Sequence, residues 1–187
     1  MKKLGTKTLE TDRLVLRKFR IDDANEVFAN YGNDDEVTKY LRWPTYKNVE
    51  AVTSYLGNVI LGYDDLNNYN WAIELNSNGE VIGNISVVEM QANRNQVEIG
   101  YVLSKKYWGK GIAVEALKRV INFLIEEVKV NKITLKADTR NLASLAVAKK
   151  AGMELVEVTI QDFKNNSGVC DLAHFEIKKP RSKKNAK

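Results

Sequence analysis

A basic, glycine-containing loop joins a strand pattern to a helix pattern in Tyr101-Val-Leu-Ser-Lys-Lys-Tyr-Trp-Gly-Lys-Gly-Ile-Ala113. The first N–H groups of a helix have no partner within the helix, and the helix dipole adds partial positive charge there. Gly109 and Gly111 let the main chain approach a bulky anion, and Lys110 adds charge. The loop therefore predicts a diphosphate cradle, although an ordinary strand–helix turn also uses glycine. It matches neither the dinucleotide-binding nor the P-loop pattern.

A second helix start follows the next predicted strand. Asn141-Leu-Ala-Ser144 opens this helix, and Gly152 ends it. Asn141 alone would be an ordinary N-cap. Two helices that begin after neighbouring strands are, however, placed to hold two parts of one elongated, phosphate-bearing ligand.

The surrounding pattern predicts a mixed α/β (α+β) sheet. Residues 9–19 are predicted as a strand with Leu14 and Leu16 on one face, and the Asn78-Gly79 pair predicts a hairpin between strands 69–75 and 80–90. Short helices are expected after Asp22 and near 34–40, with a longer one capped by Asn48. The later predicted elements are strand 96–103, helix 113–128, strand 132–138, helix 141–151, and strands 153–162 and 168–178.

The length and charge predict one domain with two basic ends. The chain has 187 residues, with 29 Lys and Arg against 24 Asp and Glu. Three Lys in residues 1–9 and six basic residues in 178–187 have no acidic neighbours there, so the rest carries 20 basic and 24 acidic residues. We predict a basic N-terminal extension (1–8), a domain (9–178) and a basic, disordered C-terminal tail (179–187). A basic tail is either a solvated end or an RNA or ribosome anchor.

The residue content argues against several classes of protein. One Cys and one His cannot form an internal disulfide or a Cys/His zinc site. No apolar run approaches the roughly 20 residues that span a bilayer, and the N-terminus lacks the apolar stretch of a signal peptide. We therefore expect a soluble, cytoplasmic domain that binds neither a metal nor a membrane.

Several motifs together resemble those of the GNAT N-acetyltransferases. Trp108-Gly-Lys-Gly-Ile-Ala113 resembles the family's acetyl-CoA pyrophosphate loop, and Asn141-x-x-Ser-x-x-Val147 with Lys150-Ala-Gly-Met153 resembles its second motif. Glu10-Thr-Asp-Arg-Leu-Val-Leu-Arg17 and Glu98-Ile-Gly-Tyr101 are similar to the branch that contains the ribosomal-protein alanine N-acetyltransferases RimJ and RimL. The resemblance covers about residues 9–178.

The resemblance implies both a fold and an activity. The fold would be one central, mostly antiparallel sheet of about seven strands, splayed in the middle, with about four helices on its two faces. The activity would be direct transfer of an acetyl group from acetyl-CoA, as co-substrate, to a primary amine, either a protein N-terminus or a small amine. The sequence leaves open whether the protein is a monomer or a homodimer.

The residues and the resemblance together suggest a set of site residues. Glu98, opposite the apolar face of its strand, is the candidate base; alternatively it is a surface carboxylate facing a Lys. The resemblance gives Ser144 a hydrogen bond to the departing sulfur and Trp43 a contact with the acceptor. The residues implied in cofactor binding are Tyr101, Val102, Leu103, Trp108, Gly109, Lys110, Gly111, Ile112, Ala113, Asn141 and Ser144.

Two alternatives remain open. Ala148 stands where many members of the family carry a Tyr that protonates the departing thiolate, so the chain could be a CoA-binding domain that has lost turnover. The basic ends could instead belong to a non-catalytic module that binds RNA or the ribosome.

Overall fold

The computed structural model describes residues 1–180, apart from the side chain of Asp162. Eight strands form a sheet in the order β1-β2-β3-β4-β5-β6-β8-β7. Neighbouring strands are antiparallel except β5 and β6, which are parallel. The strands are β1 (Leu9–Glu10), β2 (Leu14–Arg17), β3 (Asn70–Leu75), β4 (Val81–Gln91), β5 (Gln96–Leu103), β6 (Lys132–Asp138), β7 (Glu154–Asn165) and β8 (Gly168–Lys178).

Helices cover both faces of the sheet. Residues of α4 and α5 join one buried apolar cluster with Val97 and Ile99 of β5. Residues of α1, α2 and α3 join a second cluster with Val102, on the opposite face. The mixed α/β fold predicted from the sequence is therefore confirmed. The helices are α1 (Ala24–Val27), α2 (Asp35–Thr38), α3 (Val49–Leu61), α4 (Ile112–Phe123) and α5 (Leu142–Lys150).

The prediction of a single strand over residues 9–19 is wrong. The segment folds into a tight hairpin, in which Leu9 of β1 lies opposite Leu16 of β2. Thr11 closes the turn: its N–H donates to the Leu14 carbonyl over 3.0 Å, and its hydroxyl oxygen accepts from the Leu14 N–H over 3.0 Å. Short polar side chains that bond to nearby main chain favour turns, and β1 adds the eighth strand to the expected seven.

The sheet opens between β5 and β6. Their paired residues are Gln96 with Lys132, Val97 with Ile133 and Glu98 with Thr134. Beyond these pairs both strands continue, β5 to Leu103 and β6 to Asp138, without further pairing between them in the described chain. The splay in the middle of the sheet is therefore confirmed. It leaves main-chain groups along this edge of β5 without a partner from the neighbouring strand.

The N-terminal segment contacts the body of the domain. The Lys2 N–H donates to the Val128 carbonyl over 2.6 Å, and the Thr6 hydroxyl donates to the Asn68 carbonyl over 2.9 Å. The division into 1–8, 9–178 and 179–187 stays a prediction, and residues 181–187 of the tail lie outside the described residues. No helix within residues 1–180 combines the length and apolar character needed to cross a bilayer.

Gly83→Ala is expected to lower the free energy of unfolding by about 1–3 kcal/mol. A Cβ at Gly83 would lie 2.4 Å from the Val102 carbonyl oxygen, so β4 and β5 would have to shift apart. Gly57→Ala in α3 is the matched control, because a Cβ there meets nothing within 4 Å; it should stabilise the helix by roughly 0.5–1 kcal/mol. Urea unfolding measures both variants, and equal midpoints would contradict the prediction.

Candidate active site

A cavity of about 670 Å³ lies where β5 and β6 part. Its wall includes the glycine loop (residues 108–113) and the first turn of α5. The wall also includes residues 40–43, which follow α2, and the hairpin between β7 and β8. The splay thus creates a passage that links both helix starts singled out in the sequence.

Nearly all of the predicted site residues line this cavity. Lys110 is the exception: its ammonium lies 5.3 Å from the centre of the Tyr107 ring. The predicted residues that line the cavity are Trp43, Glu98, Tyr101, Val102, Leu103, Trp108, Gly109, Gly111, Ile112, Ala113, Asn141 and Ser144.

The glycine loop presents a row of unused main-chain donors. Gly109 and Gly111 have φ values of 73° and 77°, in the left-handed region that favours glycine. Within residues 1–180, no acceptor takes a hydrogen bond from the N–H groups of residues 109–114. Consecutive free N–H groups at a helix start, together with the helix dipole, favour an anion. The predicted diphosphate cradle thus has suitable geometry.

Neighbouring side chains hold this loop in place. Arg13 donates from Nη1 to the Lys110 carbonyl over 3.0 Å, and its Nε lies 2.7 Å from Glu115 Oε2 on α4. Trp108 donates from its indole N–H to the Leu103 carbonyl over 2.8 Å, which ties the loop to the end of β5. Because these hydrogen bonds use a carbonyl and side chains of the loop, the N–H groups of the loop remain free.

The start of α5 is capped as the sequence indicates. Asn141 Oδ1 accepts from the Ser144 N–H over 3.1 Å, so Asn141 is an N-cap as well as a cavity residue. The Tyr101 hydroxyl donates to Ser144 Oγ over 3.1 Å. Burial raises the pKa of Tyr101 to about 12, so the phenol stays protonated at neutral pH. Ala148, one turn further along α5, is fully buried in the core.

Glu98 lies where the candidate base was expected and also faces a Lys, but it is not a surface carboxylate. It lines the cavity and is only 8% exposed. Its Oε2 also lies 2.7 Å from Lys136 Nζ on β6. The Lys partner holds one carboxylate oxygen in place, and an amine bound in the cavity would lie next to a buried negative charge.

A polar cluster at the end of β6 was not predicted. Asp138 is 3% exposed and accepts from Arg140 Nη2 over 2.6 Å and from Asn165 Nδ2 over 2.8 Å. Burial alone would raise the pKa of Asp138, but these bonds hold it well below its usual range. The cluster joins β6 to the β7–β8 hairpin. The signal in the sequence was Asp138 and Arg140, a charged pair between a predicted strand and a predicted helix. Asn165, which donates to Asp138, is distant in sequence, so the pattern did not predict the cluster.

Asp138→Asn is expected to destabilise the protein at neutral pH and to flatten its acid sensitivity. A carboxyl group with a depressed pKa in the folded state contributes stability above its ordinary pKa of about 3.9. That contribution is lost as the pH falls below this value. Thermal unfolding between about pH 7 and 2 should show the two proteins converging in acid. Parallel curves would contradict this role for Asp138.

Residues 38–43 and the β7–β8 hairpin, both of which contribute to the cavity wall, are bonded to each other. Asn166 donates from Nδ2 to the carbonyls of Thr38 and Trp43 over 2.9 and 2.8 Å. The Arg42 guanidinium lies 4.5 Å from the centre of the Phe163 ring. Trp43, the predicted acceptor contact, lines the cavity, and the centre of its ring lies 5.3 Å from that of Tyr46, on which it stacks. The contribution of the hairpin was missed, because Asn166 carries only a turn signal in the sequence.

Comparisons with known proteins agree with this arrangement. Residues 13–154 match the family model described as an acetyltransferase (GNAT) domain. The uncharacterized N-acetyltransferase YoaA of Bacillus subtilis is 30% identical over 173 residues, which cover 92% of this chain and 97% of YoaA.

Solved structures share the fold. RimL, the ribosomal L7/L12 alpha-N-protein acetyltransferase, in complex with coenzyme A, has a TM-score of 0.83 at 19% identity, over 92% of this chain and 98% of RimL. The microcin C7 self-immunity acetyltransferase MccE, in complex with acetyl-CoA and AMP, has a TM-score of 0.82 at 19% identity, over 90% of this chain and 93% of MccE. On the family match and the similarity to YoaA, the chain belongs to the GNAT acetyltransferase family and is an N-acetyltransferase.

Proposed function

We propose that this enzyme transfers the acetyl group of acetyl-CoA directly to a primary amine. The observation that carries the proposal is the row of free main-chain N–H groups at residues 109–114, which opens on a cavity that runs along the splay towards Glu98. The N–H groups suit the diphosphate of CoA. The unpaired edge of β5 suits the amide groups of its pantetheine arm.

The same edge also offers donors for the reaction. A tetrahedral intermediate carries a negative oxygen, and one fixed donor to such an oxygen contributes roughly 10²–10³ in rate. Main-chain N–H groups near Val102 and Leu103, where β5 no longer pairs with β6, are our candidates for that donor.

Glu98 is our candidate base. An amine like that of Lys, with a pKa of about 10.4, costs roughly 4–5 kcal/mol to present as the neutral nucleophile at pH 7. The Glu98 carboxylate can take the proton, directly or through a water molecule. Lys136, at 2.7 Å from that carboxylate, adds a positive charge that disfavours the charged form of a nearby amine.

The acceptor in this proposal is a protein N-terminal amine or a small amine. The similarity to RimL in fold supports a protein N-terminus and a place in the RimJ/RimL-like branch. A cytoplasmic location is part of the proposal. The similarity to MccE supports a smaller acceptor equally well. Trp43, which lines the cavity and stacks on Tyr46, is the residue that we expect to contact the acceptor.

A panel of acceptors tests the proposal. Purified protein is mixed with acetyl-CoA and either small amines or short peptides with free N-termini, and the free thiol released from CoA is measured. The same peptides with blocked N-termini are the control, and mass spectrometry should show one added acetyl group on the product. CoA binding without thiol release above background for every acceptor would favour a domain that has lost turnover.

A further inference from the structure

A hydrogen bond crosses the cavity wall between β5 and α5. It joins the phenol of Tyr101 to Ser144 Oγ over 3.1 Å, and both residues line the cavity. Along β5, Tyr101 lies between Glu98 and the glycine loop. The pair therefore stands between our candidate base and our candidate diphosphate site, which is the interval that the thioester end of acetyl-CoA has to reach.

The bonds made by Ser144 leave its hydroxyl hydrogen available. A serine hydroxyl has one hydrogen to donate and two lone pairs that accept. The Tyr101 phenol donates to one lone pair of Ser144 Oγ. The main-chain N–H of Ser144 donates to Asn141 Oδ1 and does not involve the hydroxyl. Within the described part of the chain, the Ser144 hydroxyl donates to no acceptor. Because Tyr101 approaches the oxygen from β5, the hydrogen is directed away from Tyr101.

We propose that Tyr101 is a positioning residue, which donates to Ser144 Oγ and thereby directs the Ser144 hydroxyl at the sulfur of the departing CoA. This inference rests on the proposed acetyl transfer. In that reaction the amine nitrogen forms a bond to the acetyl carbon, the carbon–sulfur bond breaks, and its electron pair stays on sulfur. The amine proton goes to Glu98. Ser144 hydrogen-bonds to the thiolate and neither hydroxyl gives up its proton.

Two further observations favour this pair over another donor on α5. Ser144 is the only hydroxyl residue in α5, and Ala148, one turn on, is fully buried in the core. Ser144 also lies in the first turn of the helix, where the dipole favours a negative charge. The Tyr101 phenol remains a donor throughout the neutral range, since burial raises its pKa to about 12.

A double-mutant cycle tests the coupling. Tyr101→Phe and Ser144→Ala should each lower kcat about 3–10-fold, as expected for one hydrogen bond, with little change in KM for acetyl-CoA. The double variant should be no slower than Ser144→Ala, because Tyr101 acts through Ser144. Ser144→Thr, which keeps a hydroxyl, should retain more activity than Ser144→Ala. Additive losses, or a Tyr101→Phe enzyme with the wild-type kcat, would overturn the inference.

Tyr63→Phe is the matched control. Tyr63 is a buried tyrosine outside the cavity, whose hydroxyl donates to the Asn70 carbonyl over 2.9 Å. Its loss should lower the thermal stability and leave kcat unchanged. A fall in kcat like that of Tyr101→Phe would show that loss of any buried phenol slows the enzyme, and would overturn the inference.

Ionisation of the thiol of bound CoA gives a readout that needs no acceptor. Thiolate absorbance is followed against pH, with S-methyl CoA as the blank, for CoA bound to the wild type and to Tyr101→Phe. The thiol should ionise at a lower pH in the wild type, because the directed hydroxyl stabilises the thiolate. If the wild type transfers acetyl groups, a thiol that ionises at the same pH in the wild type and in Tyr101→Phe would overturn this inference alone. No binding of CoA at all would overturn the proposed function and this inference together.

Discussion

Glu98→Gln is expected to lower kcat/KM for the acceptor amine by about 100-fold, while the Kd for CoA stays nearly unchanged. Glutamine keeps the size of the side chain and an acceptor oxygen but cannot take up a proton. The loss should be larger for aliphatic amines of pKa about 10.4 than for peptide N-termini of pKa about 8, because the former carry the larger deprotonation cost. Initial rates of thiol release between about pH 6 and 9 measure the effect.

Two neighbouring variants separate a base from a merely structural carboxylate. Glu89→Gln removes an exposed carboxylate that lies opposite Glu98 across β4 and β5, and it should behave like the wild type. Lys136→Gln removes the ion pair but keeps the carboxylate, so it should retain more activity than Glu98→Gln. Equal losses in the two ion-pair variants, or a rate in Glu98→Gln that matches the wild type at every pH, would remove Glu98 from the mechanism.

Gly109→Ala is expected to weaken CoA binding by about 10–100-fold, the equivalent of one hydrogen bond to a charged group. A Cβ at residue 109 would point into open space next to the free N–H groups, where we expect the diphosphate. The left-handed φ of 73° also costs an alanine roughly 1–2 kcal/mol. Calorimetric titration with CoA measures the affinity, and urea unfolding measures the stability.

Gly79→Ala is a close control for Gly109→Ala. Gly79, in the turn between β3 and β4, has the same φ of 73°, and a Cβ there also meets nothing within 4 Å. The two variants should therefore lose similar stability, but only Gly109→Ala should lose affinity for CoA. A loss of affinity in both would mean that backbone strain, and not the position of the Cβ, weakens binding.

The parts of the site that sequence alone could predict are those built from local geometry. The glycine loop precedes a helix start as expected, where Gly109 and Gly111 adopt the left-handed conformation that glycine favours, and Asn141 caps α5. Alternation along β5 correctly separates Val97 and Ile99 from Val102, which joins the core on the opposite face. Such features depend on residues a few positions apart, so the local pattern contains the information.

The parts that it could not predict depend on contacts between distant segments. Asn166 ties the β7–β8 hairpin to the segment after α2 by donating to the carbonyls of Thr38 and Trp43, more than a hundred residues away in the chain. Lys110 was expected to face the ligand, but its side chain lies over Tyr107, so the loop offers main-chain N–H groups in place of that ammonium. The hairpin at Thr11 was missed because the alternation of Leu14 and Leu16 fits one long strand as well as it fits one strand of a hairpin.

The most direct test of the account follows the main-chain N–H groups of the glycine loop by NMR. Protein labelled with ¹⁵N is titrated with CoA and, separately, with pantetheine, which lacks the diphosphate. We predict that the amide signals of Gly109, Gly111, Ile112 and Ala113 shift strongly with CoA and little with pantetheine, while that of Gly79 stays in place. Signals of residues 109–113 that do not respond to saturating CoA would contradict the central claim that this loop binds the diphosphate.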